Sequence, residues 1–150
     1  MSKGRKMALI GAIIMSVSQF IGFFASAVFL SALTAAATGD GSPFIGMIFG
    51  TLFGLIELGF VWVAFVRLNK ERGWRIYLLV IGILAGVGAA SGLLGGLILG
   101  LISGVPDFGN VGYAFAGYGV YSVFAALMSA AVAVFFILAF TFSKKKETSK

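Results

Sequence analysis

Four apolar runs, each long enough to cross a bilayer alone, constrain this chain more than any other feature. They cover about 7–34, 44–66, 76–102 and 111–142. A spanning helix needs roughly 20 consecutive apolar residues. Strands rarely exceed about 10 residues, and the polar/apolar alternation of a membrane β-barrel is missing. The expected fold is therefore all-α: a polytopic bundle of four transmembrane helices forming one domain over residues 1–150. Composition agrees, with 60% hydrophobic residues, 11% charged residues and a mean hydropathy of +1.08. A soluble domain carries about a quarter charged residues.

Basic residues predict the orientation. Lys3, Arg5 and Lys6 precede the first run. Arg67, Lys70, Arg72 and Arg75 join the second to the third, and Lys144, Lys145, Lys146 and Lys150 follow the fourth. The other two links, 35–43 and 103–110, hold only Asp40 and Asp107 as charges. The positive-inside rule places both termini and the middle link in the cytoplasm. Trp62, Trp74 and Tyr77 then fall near the inner interface, and Tyr113, Phe115, Tyr118 and Tyr121 near the outer one, as amphipathic rings prefer. The first run, about 28 residues, is too long for the core of a cleaved signal peptide and reads as a retained helix. A bacterial cytoplasmic (inner) membrane suits a small multi-pass chain of this kind.

Cys and His are both absent. Their absence removes thiolate nucleophiles, imidazole bases and the usual zinc ligand sets. No phosphate-cradling loop, nucleophile elbow or metal signature occurs. No enzyme activity, cofactor or metal is expected. The pI near 9.9 reflects topology signals rather than a nucleic-acid-binding surface. Lys144, Lys145 and Lys146 suit anionic lipid headgroups, at roughly 1 kcal/mol per residue near the surface.

One ionisable residue stands deep in a span. Glu57 lies ten residues from Arg67, about 15 Å along a helix and hence near the midplane. A charge there is costly, so a carboxyl at that depth favours its protonated form and marks a functional hypothesis. On a helical projection Glu57 falls within about 60° of Gly54 and about 20° of Gly46. It thus shares a face with Gly46, Gly50 and Gly54, where another helix should approach most closely. The first helix offers the matching polar groups, Ser16 and Gln19, at comparable depth. The pattern supports two roles for Glu57. A protonated Glu57 donating to Gln19 or Ser16 would glue two helices. A titrating Glu57 would relay protons.

The third run carries Gly88, Gly92, Gly96, Gly100 and Gly104, a series at every fourth position, to which Gly82 with Gly86 and Ser91 with Gly95 add. Such small-residue spacing predicts close helix contact at a right-handed crossing, within the chain or with a second copy or another membrane protein. The fourth run repeats the spacing in Ser122, Ala126 and Ala130, and in Ala125, Ser129 and Ala133.

In its four helices and single membrane glutamate the chain resembles the small multidrug resistance transporters. That family's coupling glutamate lies in the first helix, where this chain has Gln19. The resemblance covers topology only and carries over no residue. Two roles follow from the sequence. One is a non-enzymatic component acting through intramembrane helix packing, as an accessory, immunity-type or oligomeric subunit. The other is a small proton-coupled transporter or channel with Glu57 as its titrating group.

Overall fold

In the computed structural model four helices follow one another: α1 (Lys3–Ala36), α2 (Ser42–Arg67), α3 (Arg72–Ser103) and α4 (Gly109–Lys144). The structure describes residues 1–36, 42–103 and 109–144, and the side-chain surroundings of 1–27, 48–102 and 116–143. All four helices are long and apolar enough to cross a membrane. Each begins or ends a few residues beyond its apolar run. At the start of α1, the Ser2 hydroxyl accepts from the Arg5 amide at 3.4 Å, and the Ser2 carbonyl accepts from Lys6 N at 3.0 Å. That is the capping pattern expected of a helix-initiating serine. The α2–α3 link is shorter than expected. Arg72 and Arg75 lie in the first turn of α3, not in the link.

α3 and α4 share the most extensive contact, α1 packs along α4, and α2 leans on α1 and only lightly on α3. The core sits toward the end holding the basic residues. It joins Ala8, Ala12 and Met15 of α1, Val61 and Ala64 of α2, Leu78 and Ile81 of α3, and Phe136 and Ala139 of α4, with Leu68 from the link. The outward faces are apolar throughout, as in Phe53 (70% exposed), Leu101 (79%) and Val120 (74%). Side chains of this kind at such exposure suit hydrocarbon surroundings.

Two small-residue seams set the close approaches. Between α1 and α4 the seam is Gly4, Ala8 and Gly11. A Cβ on Gly4 would overlap Ser143 Oγ and stand 2.9 Å from the Ala139 carbonyl. One on Gly11 would overlap the Phe136 ring. Phe136 is fully buried, so that ring cannot move aside. The sequence reading passed over this seam because it takes the segment around Lys3–Lys6 as a flanking topology signal rather than as helix.

The second seam joins α3 to α4 and takes up only part of the glycine series. Gly82, Gly86, Gly92 and Gly96 meet α4 at Ala133, Phe136, Ala126, Ser122 and Gly119, whereas Cβ positions on Gly88 and Gly100 meet nothing within 4 Å. Adding the buried Ala89, the contact positions step by four, three, three and four. That mean of 3.5 is the spacing of left-handed pairs, not the strict four of a right-handed crossing. The physical reason is rotation: residues four apart advance about 40° around the helix at each step. Five glycines at that interval therefore sweep away from one partner. Gly100 still contributes its backbone, whose nitrogen lies 3.4 Å from the Cβ position of Gly119. Gly104 lies outside the described residues.

Candidate functional site: a glutamate on a polar interhelical cavity

Glu57 is placed by the buried stripe of α2. Gly54, Val61, Ala64 and the following Leu68 are buried, and Glu57 and Leu58 half-buried, along the side turned to α1 and α3. Glu57 lines a half-open cavity of about 210 Å³ to which all four helices contribute. Its polar wall is Ser18 and Gln19 from α1 and Ser129 from α4. Its apolar wall includes Met15, Ile81 and Val132. One turn nearer the basic end, Phe60 of α2 and Tyr77 of α3 pack with ring centroids 6.3 Å apart.

The structure brings Glu57 and Gln19 to one cavity and leaves Ser16 outside it. The Ser16 hydroxyl donates to the Ala12 carbonyl at 2.8 Å and accepts from Trp62 Nε1 at 3.2 Å. The expected pairing of Glu57 with Ser16 is thus replaced by an indole pairing. Trp62 was read as an interface anchor, but its N–H is a donor without an alternative acceptor in an apolar span, and Ser16 supplies one. Among the described residues no hydrogen bond holds the Glu57 carboxyl.

Gln19 is fixed by the glycine beside Glu57. A Cβ on Gly54 would stand 2.8 Å from Gln19 Oε1, 3.3 Å from Cδ and 3.4 Å from Nε2. The amide therefore lies across α2 at its narrowest residue. Gly54 thus does what the small-residue face of α2 predicts. Gly50 does not: it is exposed, and a Cβ there meets nothing within 4 Å. Gly46 falls where side-chain surroundings are not described.

Beyond Gln19, toward the end away from the basic residues, α1 and α2 diverge around a second cavity of about 630 Å³. Phe20, Phe23, Leu55 and Tyr121 supply rings and aliphatic surface, while Gln19 and Ser26 supply polar groups. The Tyr121 hydroxyl rests 2.9 Å from the Cβ position of Gly22. Gln19 lines both cavities. Sequence reasoning took Tyr121 only as an interface ring. Ser129 reads from the sequence only as a small packing residue, and Ser18 and this second cavity carry no signal, because hydroxyls scattered on separate helices look alike until packing converges them.

At the basic end the α2–α3 link is knitted by Glu71. Its carboxylate accepts from Arg67 Nη1 at 3.3 Å, an exposed ion pair, and from Trp74 Nε1 at 2.9 Å. Arg5 places its guanidinium 5.1 Å from the centre of the Phe65 ring, tying α1 to α2 by a cation–π contact. Lys144 closes α4, and Lys145 and Lys146 lie outside the described residues. Among the described residues, no group of acidic side chains is positioned to hold a metal ion. The sequence matches no protein-family model, and no curated protein or solved structure matches it.

Proposed function

We propose that the protein is a small proton-coupled membrane transporter, non-enzymatic, in which Glu57 takes up and releases the coupling proton. The observation that carries this reading is Glu57 lining a part-polar cavity with Ser18, Gln19 and Ser129, while Ser16 is engaged by Trp62. A carboxyl serving as glue would be satisfied by a side-chain partner. One on a cavity with room for water can exchange protons with it. The remaining assignments belong to the same proposal. Both termini and the α2–α3 link face the cytoplasm, the membrane is a bacterial inner membrane, and Lys144, Lys145 and Lys146 rest on anionic headgroups.

Infrared spectroscopy of reconstituted protein tests the proton role without a known substrate. The protonated-carboxyl band of Glu57, assigned by its loss in Glu57→Gln, should shift within seconds of transfer to deuterium oxide. In liposomes, Glu57→Gln should lose proton flux that the wild type supports. A band that fails to exchange, or equal flux in the two proteins, refutes the relay.

A second reading, in which the chain acts as a packing subunit, draws support from α3. Gly88 and Gly95 offer open Cβ positions beside an exposed Ser91 whose hydroxyl turns back to the Gly88 carbonyl at 3.0 Å. A second copy or another membrane protein could bring a helix to that face. Cysteine cross-linking at Ser91 in native membranes tests it. Absence of any cross-linked species would remove the support.

A further inference from the structure

We infer that the 630 Å³ cavity between α1, α2 and α4 is a binding site for a neutral, ring-containing amphipathic molecule that enters from the bilayer. The inference rests on the transport reading only in making this molecule the transported one. The binding itself stands on the geometry of the cavity.

Size comes first. About 630 Å³ falls in the range of drug-sized ligand sites, roughly 300–1,000 Å³. It is three times the volume of the Glu57 cavity, so water alone suits the smaller space and an organic molecule the larger. Chemistry comes second. Phe20, Phe23 and Tyr121 present ring surface, Leu55 and Leu58 aliphatic surface, and Gln19 and Ser26 hydrogen-bonding groups. Mostly apolar walls with a few polar groups are what a small-molecule site requires.

Charge decides the class. Among the described residues no charged side chain lines this cavity, and Glu57 stands on the far side of Gln19. An ion placed here would lose its hydration without a counter-charge in the wall, at heavy cost. A neutral molecule with an apolar body and one hydrogen-bonding edge meets no such penalty. Access follows from α2. Gly50 and Leu55, which line the cavity, are both exposed, and a Cβ on Gly50 would meet nothing within 4 Å. The mouth between α1 and α2 therefore opens sideways, toward lipid, where neutral amphipaths concentrate. Gln19, shared by both cavities, is then the residue through which an occupant of the larger one meets the proton site.

The probe is N-phenyl-1-naphthylamine, a neutral amphipathic fluorophore excited by tryptophan emission. Trp62 hydrogen-bonds to Ser16, which lines the cavity. A Trp74→Phe background leaves Trp62 as the single tryptophan of the two in the chain. In detergent or nanodiscs, sensitised probe emission should saturate. Gly50→Leu fills the cavity from an open position and should weaken binding on the order of tenfold or more. Gly88→Leu adds the same bulk at an open position on α3 and should leave binding unchanged. Neutral 2-naphthol should displace the probe, and a naphthyl trimethylammonium salt should not. Emission that rises linearly without saturation, equal binding in Gly50→Leu, or displacement by the cation as readily as by the naphthol overturns the inference. Glu57→Gln should retain probe binding even as it loses proton flux. Failure of the pocket and failure of the relay therefore register in separate measurements.

Discussion

Adding one methyl group to each of two glycines of α3 should have opposite effects. A Cβ on Gly96 would stand 2.9 Å from the Gly119 carbonyl oxygen, 3.0 Å from Val123 Cγ2 and 3.3 Å from Ser122 Cβ, whereas one on Gly88 meets nothing within 4 Å. Alanine is the better helix former by about 0.8–1.0 kcal/mol, and Gly88→Ala should collect most of that gain. Gly96→Ala collects it too, but its methyl is pressed against backbone on the facing helix, about 0.5 Å inside ordinary contact. Overpacking of this kind costs about 1–3 kcal/mol, and a carbonyl in a helix cannot turn away as a side-chain end can. The two variants should therefore differ by about 1–3 kcal/mol, with Gly88→Ala the more stable. At roughly 2–4 °C per kcal/mol for a chain of this length, that is a gap of several degrees in thermal unfolding in detergent. Gly96→Leu should be worse still, while Leu97→Ile, at a position 61% exposed, should behave as wild type. Equal melting of Gly88→Ala and Gly96→Ala would refute the assignment of Gly96 to the α3–α4 seam.

Gly54→Ala should be tolerated thermally, because its methyl meets the flexible end of Gln19, yet it should alter proton flux by displacing the amide both cavities share. Trp62→Phe removes the 3.2 Å bond to Ser16 and should cost about 0.6 kcal/mol, the mean for such bonds between membrane helices, read in the same thermal assay. Gly11→Ala, pressed against the buried Phe136 ring, should destabilise by about 1–3 kcal/mol. Single cysteines at Ser2, Asn69 and Ser149 should label from the cytoplasmic side only, and those at Ser42 and Asn110 only from outside. Labelling of Asn69 and Ser42 from the same side would sink the four-span topology.

The four helices were legible because hydrocarbon leaves a buried chain so few options: a run of apolar residues must satisfy its backbone within itself. Glu57 was legible for a related reason, since a carboxylate amid such runs has no bland surface to occupy. What escaped was pairing. Seams are chosen by rotation around each helix, and of the glycines at every fourth position Gly92 and Gly96 face α4 while Gly88 and Gly100 turn away from it. Gly82 and Gly86, six and two residues before Gly88, take up that packing where Gly88 does not. Similarly, Ser16 and Gln19 were equally good partners for Glu57 by depth. Only the indole of Trp62, arriving from a neighbouring turn of α2, separates them. Asn69, Glu71 and the short link before α3 show the same limit at the basic end, where Arg72 and Arg75 read as loop but wind into the helix.

Among the described residues, most of the seat of α2 lies toward one end. Val61, Ala64 and Leu68 are buried there, Trp62 is tied to Ser16 and Phe65 lies beneath Arg5, while Ile48 through Phe53 stand clear apart from half-buried Thr51. Mechanically that is a lever with its fulcrum near Ala64. From Ala64 to Ile48 the arm is about 24 Å at 1.5 Å per residue. A change of 10° in the inclination of α2 would carry its far end about 4 Å yet shift residues within one turn of the fulcrum by only about 1 Å. Glu57 and Gly54, part-way along the arm, would travel an intermediate distance, drawing the carboxyl past Gln19. A modest rocking of one helix would then change the width of the larger cavity's mouth and the setting of the proton group together, without unseating the bundle that carries them.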